Sequence, residues 1–261
     1  MRAEQGVLGR YAAVLDAVAA SPNGLILAEI MRATKLPRGT AHRLINSLLR
    51  VGYIEQHENR KIYVLGSRLI RLLHMRLARE TLVDVSRPVL APLAQRFKET
   101  AFLAKLEGDV VESAAMVMPE RDRHSYVQPG RTMPLHAAAS AKAIFAFQDQ
   151  AFLARALEAK RVAFTPKTRT KRKDVLAELG RVRRDGFAVC LDELDPGVSS
   201  YACPVHVAGS VIYSVGLVGI AQNLQRFSVE TIVSALRDAA ETLGDRLAGL
   251  SPRVALTRAR R

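Results

Sequence analysis

The sequence predicts an α+β chain: an N-terminal winged helix-turn-helix, a linker helix, and a larger C-terminal domain whose antiparallel sheet is covered by helices. Three observations carry that reading. Residues 25–55, LILAEIMRATKLPRGTAHRLINSLLRVGYIE, contain two short amphipathic helices with a tight break between them, and two short alternating runs follow. From Thr81 the composition shifts to Leu, Ala and Val with prolines. Beyond that point extended runs occur around turn residues, with helical periods before, between and after them.

Taken in order, Gln5–Ala20 reads as a first helix with Val7, Leu8, Tyr11, Val14, Leu15 and Val18 as its apolar stripe. Ser21-Pro22-Asn23-Gly24 is dense turn chemistry and ends it. The next helix, Leu27–Ala33, places Leu27, Ile30 and Met31 together before Thr34-Lys35-Leu36 interrupts. Pro37 is expected to open the following helix, Pro37–Val51, where its missing N–H costs nothing. That helix has Ala41, Leu44, Ile45 and Leu48 on its back. Gly39, Arg43, Asn46 and Arg50 point the other way, with His42 and Ser47 flanking them and Arg38 and Thr40 at the leading end.

Such a front suits the major groove. Arg can bond guanine bidentately, Asn can do the same to adenine, and the cations also meet phosphates. A helical hairpin with an ordinary solvated face fits the helix pattern alone, but the residues after it favour a DNA reader. Gly52 is placed to terminate the helix, Tyr53-Ile54-Glu55 is extended, His57–Arg60 turns, and Lys61-Ile62-Tyr63-Val64 alternates back. This makes a wing, with Arg60 and Lys61 at its tip for phosphate or minor-groove contact. The expected DNA-binding set is Arg38, Gly39, Thr40, His42, Arg43, Asn46, Arg50, Arg60 and Lys61.

Ser67–Arg79 follows as a linker helix with Ser67 as its N-cap. Leu69, Leu72, Leu73, Arg76 and Leu77 form a strip suited to self-association. Leu82–Thr100 reads as a helix with Pro88 and Pro92 near its first turns. Thr100–Leu106 and Val110–Met118 form a hairpin across Glu107-Gly108-Asp109. A short extended piece is expected at Ser125–Gln128, then helices over Leu135–Phe147, Asp149–Lys160 and Lys173–Arg184, the last stopped by Asp185-Gly186. Phe187–Leu191, Ser199–His206 and Val211–Ile220 are extended. A final helix, Ser228–Leu250, presents Ile232, Leu236, Ala239, Leu243 and Leu247 as its buried stripe. The domains so defined are residues 1–66, the linker 67–80, the C-terminal domain 81–250 and a basic tail 251–261.

Composition narrows the function classes. Of 261 residues, 49% are apolar and 25% charged, as in ordinary globular domains. No apolar run approaches the roughly 20 residues of a membrane span. Glu4 and Asp16 within the first amphipathic pattern argue for a packed helix and against a signal peptide. Cys190 and Cys203 have no metal-ligand spacing and need no disulfide, which points to the reducing cytoplasm. The formal net charge is +14, and the first eighty residues hold 13 Lys/Arg against 6 Asp/Glu, while the remainder holds 26 against 19. Positive charge is therefore densest where the helix-turn-helix lies, as a nucleic-acid partner requires.

The order of parts and several strings resemble the IclR family of bacterial transcriptional regulators. LAEIMRATKLPRGTAHRLINSLLRVGYIE and YVLGSRLIRL carry the likeness in the first domain; GRTMPLHAAASAKAIFAF (Gly130–Phe147) and RRDGFAVCLDELDPGVSSYACPV (Arg183–Val205) carry it in the second. The resemblance implies a GAF-like effector domain, a double-stranded DNA operator and a small-molecule effector as partners, and a homo-oligomer, either a dimer or a dimer of dimers. It also implies an effector site drawn from Met116, Ala137, Ala138, Asp192, Ala202, Cys203, Pro204, Gly216 and Val218. Three departures from the family pattern stand out. Lys35 and Ala141 stand where the family usually has Gly, and Gly216-Leu217-Val218-Gly219-Ile220 replaces a serine-bearing strand segment used for small oxo-acids. An apolar, aromatic effector is the expectation that follows, with Gly216 leaving room for its ring.

No enzyme constellation emerges. Asp192 and Glu193 have no nucleophile or base paired with them by spacing, so support of a loop over the ligand site competes with simple solvent exposure. The six histidines show no metal spacing, Lys142 sits in an alanine-rich stretch with a structural role, and no phosphate loop surrounds Gly216 and Gly219. No catalytic residue, metal site or cofactor is expected, and no membrane partner. The alternative is an enzyme or ligand-binding protein whose helix-turn-helix is only an interaction module.

Overall fold

The structure, a computed structural model, describes residues 6–21, 23–56, 61–74, 77–119, 132–207 and 209–250. Its contacts divide the chain into two compact units, made chiefly of Met1–Arg76 and of Leu77–Val207 with Val211–Arg261.

In the N-terminal unit, α1 (Val7–Ala19), α2 (Leu27–Thr34) and α3 (Arg38–Arg50) pack around one core of Val14, Val18, Ile30, Leu44, Ile45, Leu48, Ile54 and Tyr63. Val7 and Leu8, expected in the buried stripe of α1, are exposed instead, because they lie in its first turn beyond the reach of the core. The Glu29 carboxylate accepts from Ile26 N–H and the Thr34 hydroxyl donates to Ile30 O, tying off both ends of α2. Lys35 follows in the left-handed region (φ 55°, ψ 25°), which explains why a glycine suits that turn. Pro37 caps α3 from outside the helix instead of opening it; its carbonyl accepts from Thr40 and Ala41. Gly52, at φ +72°, closes α3 while Tyr53 N–H bonds Leu48 O. The wing strands β1 (Ile54–Gln56) and β2 (Tyr63–Leu65) pair antiparallel with Ile54 opposite Leu65. The short helix α4 (Ser67–His74) ends this unit, and the expected continuous helix to Arg79 is not formed. Along it Leu69 is half-buried and Leu72 exposed, while the side chains of Ser67, Leu73 and Arg76 lie outside the described set.

The C-terminal unit opens with α5 (Arg79–Phe97), which starts early enough to put Pro88 and Pro92 in its interior, not its first turns. Both prolines lie on the exposed side, where water can take the carbonyls their missing N–H groups leave free. Leu82, Leu90, Leu93, Ala94 and Phe97 face inward. Strands β3 (Thr100–Glu107), β4 (Val110–Val117), β5 (Thr132–Met133), β6 (Ala188–Leu191), β7 (Val198–Val207) and β8 (Ser210–Ile220) form one sheet in the order β5-β4-β3-β8-β7-β6. The strand expected at Ser125–Gln128 lies outside the described residues.

Helices α5 and α10 (Val229–Ala248) pack together against one face of this sheet. On the other lie α6 (Ala139–Phe145) and, packed on it, α8 (Arg172–Asp185); α7 (Gln150–Ala156) and α9 (Ala221–Leu224) are short connectors. The stripe predicted for the last helix is buried at all five positions, and Ser228 caps it by accepting from Thr231 N–H. Gly244 lets α10 lie directly on β7: a Cβ there would come 2.5 Å from His206 O. Among the described residues no helix is long and apolar enough to cross a membrane.

Candidate nucleic-acid interface and effector site

The front of α3 is open to solvent. Ala41, Leu44, Ile45 and Leu48 are buried, whereas Arg38, Gly39, His42, Arg43, Asn46 and Arg50 are exposed and Thr40 is half-buried. Burial of the back fixes the helix, so the front residues project together. Asn46 Nδ2 lies 3.2 Å from His42 Nδ1, one turn earlier, which holds its amide along the helix. Ser47 turns back to donate to Arg43 O, and Arg50 Nη2 reaches Ser47 Oγ at 3.4 Å. Arg38 and Arg43 make no such bond among the described residues, so their guanidinium groups stay available. In the wing, Lys61 is exposed and holds a positive φ of 48°. Arg60 lies outside the described residues.

On the sheet, residues paired across neighbouring strands share a face. Phe102 is paired with Met116 on β4 and with Gly216 on β8, and Thr100 with Val218. Ser214, two residues from Gly216, donates to Ser140 O in α6, so this set looks toward α6. Ala202 joins it through its partner Ala188, whose strand neighbour Cys190 feels the charge of Lys142 in α6. Ala137 and Ala138 lead into α6 and are buried. Met116, Ala137, Ala138, Ala202, Gly216 and Val218 therefore belong to one layer, the α6 side of the sheet; Pro204 has the same strand parity as Ala202.

Two sequence expectations need correction, and for Asp192 one of the readings weighed is the one seen. The space beside Gly216 is not open: a Cβ there would meet Phe102 Cζ and Tyr201 O, each at 2.5 Å, so the ring occupying it is the protein's own. Cys203 points to the other face, near Arg237 of α10, and burial pushes its thiol up to about 12. Asp192 builds a turn. It has φ 57°, accepts from Gly197 N–H at 2.8 Å and holds Lys167 Nζ at 2.6 Å, and those bonds keep its carboxyl below the usual range. Strand parity would have found the Cys203 error; the Gly216 and Asp192 placements needed the strand order and the backbone angles.

A feature the sequence did not disclose is the ion-pair cluster around Lys142. Its side chain is 1% exposed, and its Nζ donates to Glu193 Oε1 at 2.8 Å and Val189 O at 2.5 Å, with Glu178 Oε1 at 3.8 Å. Arg169 Nη1 lies 3.1 Å from the other Glu193 oxygen. Burial alone would raise the Glu178 carboxyl, but its bonds to Arg181 and the charges of Lys142, Arg181 and Arg169 bring it below its usual value. Thr165 and Thr168 hydroxyls donate to Asp192 O and Glu193 O, fixing the same turn from the loop side. A single cation in an otherwise uncharged run, ASAKAIF, was the available signal. These groups are committed to one another and act as a structural staple between α6 and the turn after β6. Among the described residues no group of three or more His, Cys, Asp or Glu could hold a metal.

Comparison with known proteins agrees with this architecture. Residues 74–244 match the model described as bacterial transcriptional regulator IclR C-terminal, and residues 7–58 match the IclR helix-turn-helix domain. The glycerol operon regulatory protein of Streptomyces coelicolor is 30% identical over 241 residues, covering 90% of this chain and 94% of that protein. The transcriptional regulator TtgV of Pseudomonas putida is 31% identical over 196 residues, 75% of this chain and 74% of its own. Among solved structures, an IclR regulator from Silicibacter sp. TM1040 superposes with TM-score 0.61 at 26% identity, covering 95% of this chain and 98% of that one. An IclR homologue from Microbacterium hydrocarbonoxydans, complexed with 4-hydroxybenzoate, has the same fold at TM-score 0.60 and 24% identity, covering 93% of this chain and 99% of its own.

Proposed function

The chain belongs to the IclR family and is a DNA-binding transcriptional regulator, and from that premise we propose that α3 reads base edges of a pseudo-palindromic operator while a small, largely apolar metabolite bound on the α6 side of the C-terminal sheet sets the DNA affinity. The relatives are named as regulators, which sets aside an enzyme with an accessory helix-turn-helix. The observation that carries the DNA reading is the division of α3 into a buried apolar back and an exposed front of Arg38, His42, Arg43, Asn46 and Arg50. Two copies of that helix, brought by a dimer or a dimer of dimers, match two half-sites.

The effector reading rests on chemistry. Met116, Phe102, Ala137, Ala138, Ala202 and Val218 offer apolar atoms, so an anionic oxo-acid bound among them loses hydration without recovering donors, whereas each Å² of buried apolar ligand surface contributes about 25 cal/mol. A protein of this fold is known in complex with an aromatic acid, the Microbacterium homologue with 4-hydroxybenzoate. Selection of bound genomic fragments, followed by titration of the complex with benzoate-type acids and with glyoxylate or pyruvate, tests both halves. An enriched inverted repeat released or tightened by the aromatic acids supports the proposal. Selection of unrelated fragments sinks the operator reading, and a response to glyoxylate alone sinks the apolar effector.

A further inference from the structure

We propose that the C-terminal unit carries its own, sequence-independent contact to the phosphate backbone of nucleic acid, formed by Lys160, Lys171, Arg172 and Lys173. The segment Lys160–Lys173, KRVAFTPKTRTKRK, holds seven cations and no carboxylate; Glu158 and Asp174 flank it. Three of the seven serve the fold. Arg161 donates to Leu157 O, Ala159 O and Thr170 O, Lys167 pairs with Asp192, and Arg169 pairs with Glu193. The other four are exposed and make no side-chain hydrogen bond or ion pair among the described residues.

The Arg161 bonds also decide where those four lie. By bonding Leu157 O, Ala159 O and Thr170 O together, Arg161 ties the stretch that bears Lys160 to the residue before Lys171, although ten residues lie between the two lysines in the chain, and Arg172 and Lys173 follow directly as the first residues of α8. Like charges are thus gathered at the end of a helix where the backbone dipole is already positive, and the N-cap Lys171 supplies no side-chain acceptor there. Within the first turn of α8, Asp174 is the one acidic residue set against this charge, and a phosphate is the kind of anion that offsets the remainder.

Nucleic acid fits the cluster better than an acidic protein. Protein interfaces are depleted in Lys and depend on buried aromatic anchors, and three of these four residues are Lys on a solvent-exposed surface. Phosphate contacts need only charge and reach, and they fix position without reading sequence.

The test uses the full chain and a random-sequence duplex, with affinity followed by fluorescence anisotropy between 50 and 200 mM salt as the span over which counterion release is read. The variant K160Q/K171Q/R172Q/K173Q should flatten the slope of log K against log salt by about 0.9 for every phosphate it no longer neutralises. Its preference for an operator fragment over the random duplex should stay as in the wild type. Arg43→Ala is the converse control, lowering that preference while leaving the patch's share of the slope. The charge-retaining K160R/K171R/K173R should keep the wild-type slope, and a helix signal unchanged in all variants shows that folding is not the cause. A slope in the quadruple variant equal to that of the wild type overturns the proposal; a lost operator preference in Arg43→Ala alone leaves the α3 reading standing independently.

Discussion

Removing the charge from Lys142 should unfold the C-terminal unit far more readily than its place in an alanine-rich helix suggests. The ammonium is buried with Glu193 at 2.8 Å and Val189 O at 2.5 Å, and water reaches almost none of it. Lys142→Met therefore strands a buried carboxylate, and breaking such a pair costs about 3–5 kcal/mol. Arg169 still lies 3.1 Å from the second Glu193 oxygen, and it is partly solvated, so the lower end of that range applies. Glu193→Gln strands the lysine and should cost about the same. The double variant buries neither charge, so its loss should resemble one single and fall about 3 kcal/mol short of their sum. Urea unfolding followed by circular dichroism gives the four stabilities of the cycle. Strictly additive losses would refute the claim that the two groups act as one unit.

Three further outcomes follow from single positions. Lys35→Gly should stabilise the N-terminal unit by about 1 kcal/mol, because Lys35 holds a left-handed backbone that glycine adopts without strain; an unchanged or lowered midpoint in urea contradicts this. Gly216→Ala should destabilise the ligand-free protein by about 1–3 kcal/mol, since the added methyl meets Phe102 and the immobile Tyr201 carbonyl; a neutral substitution would mean that open space lies beside Gly216 after all. Cys203, with its thiol pushed up to about 12, and Cys190, also raised by burial, should resist alkylation at pH 8 until the protein unfolds, and rapid labelling of the native state counts against the buried placement of both.

Much of the N-terminal unit was legible because it is governed by neighbours in sequence. The 3.6-residue period of Ala41, Leu44, Ile45 and Leu48 determines which way Arg43 and Asn46 point, and Gly52 marks the helix end through its own backbone angle. The C-terminal unit was legible in its elements and less so in its site. Phe102 and Gly216 are more than a hundred residues apart and meet only because β8 lies between β3 and β7. The partner of Lys142 is Glu193, 51 residues away, across a sheet edge that no local pattern reveals. Asp192 entered the effector set by resemblance, while loop support was the reading its sequence neighbours allowed; its positive φ and its bond to Gly197, which place it in the turn, are backbone facts that no local pattern prints. The linker helix differs for another reason: apolar spacing continues to Leu77, yet Leu77 and Ala78 are not helical and Leu77 is buried with the following unit.

The claim on which everything else depends is that the exposed front of α3 reads sequence. Operator fragments and random duplex are titrated with the wild type, Arg43→Ala and Asn46→Ala at one fixed salt concentration, because affinities without it cannot be compared. Each substitution should cost about 1–3 kcal/mol on the operator and much less on random DNA, and the preference should relax at one identifiable base pair per residue. Lys61→Ala in the wing should instead weaken both duplexes alike. Equal losses on operator and random DNA from Arg43→Ala and Asn46→Ala would show that α3 meets only phosphates, and would contradict the account.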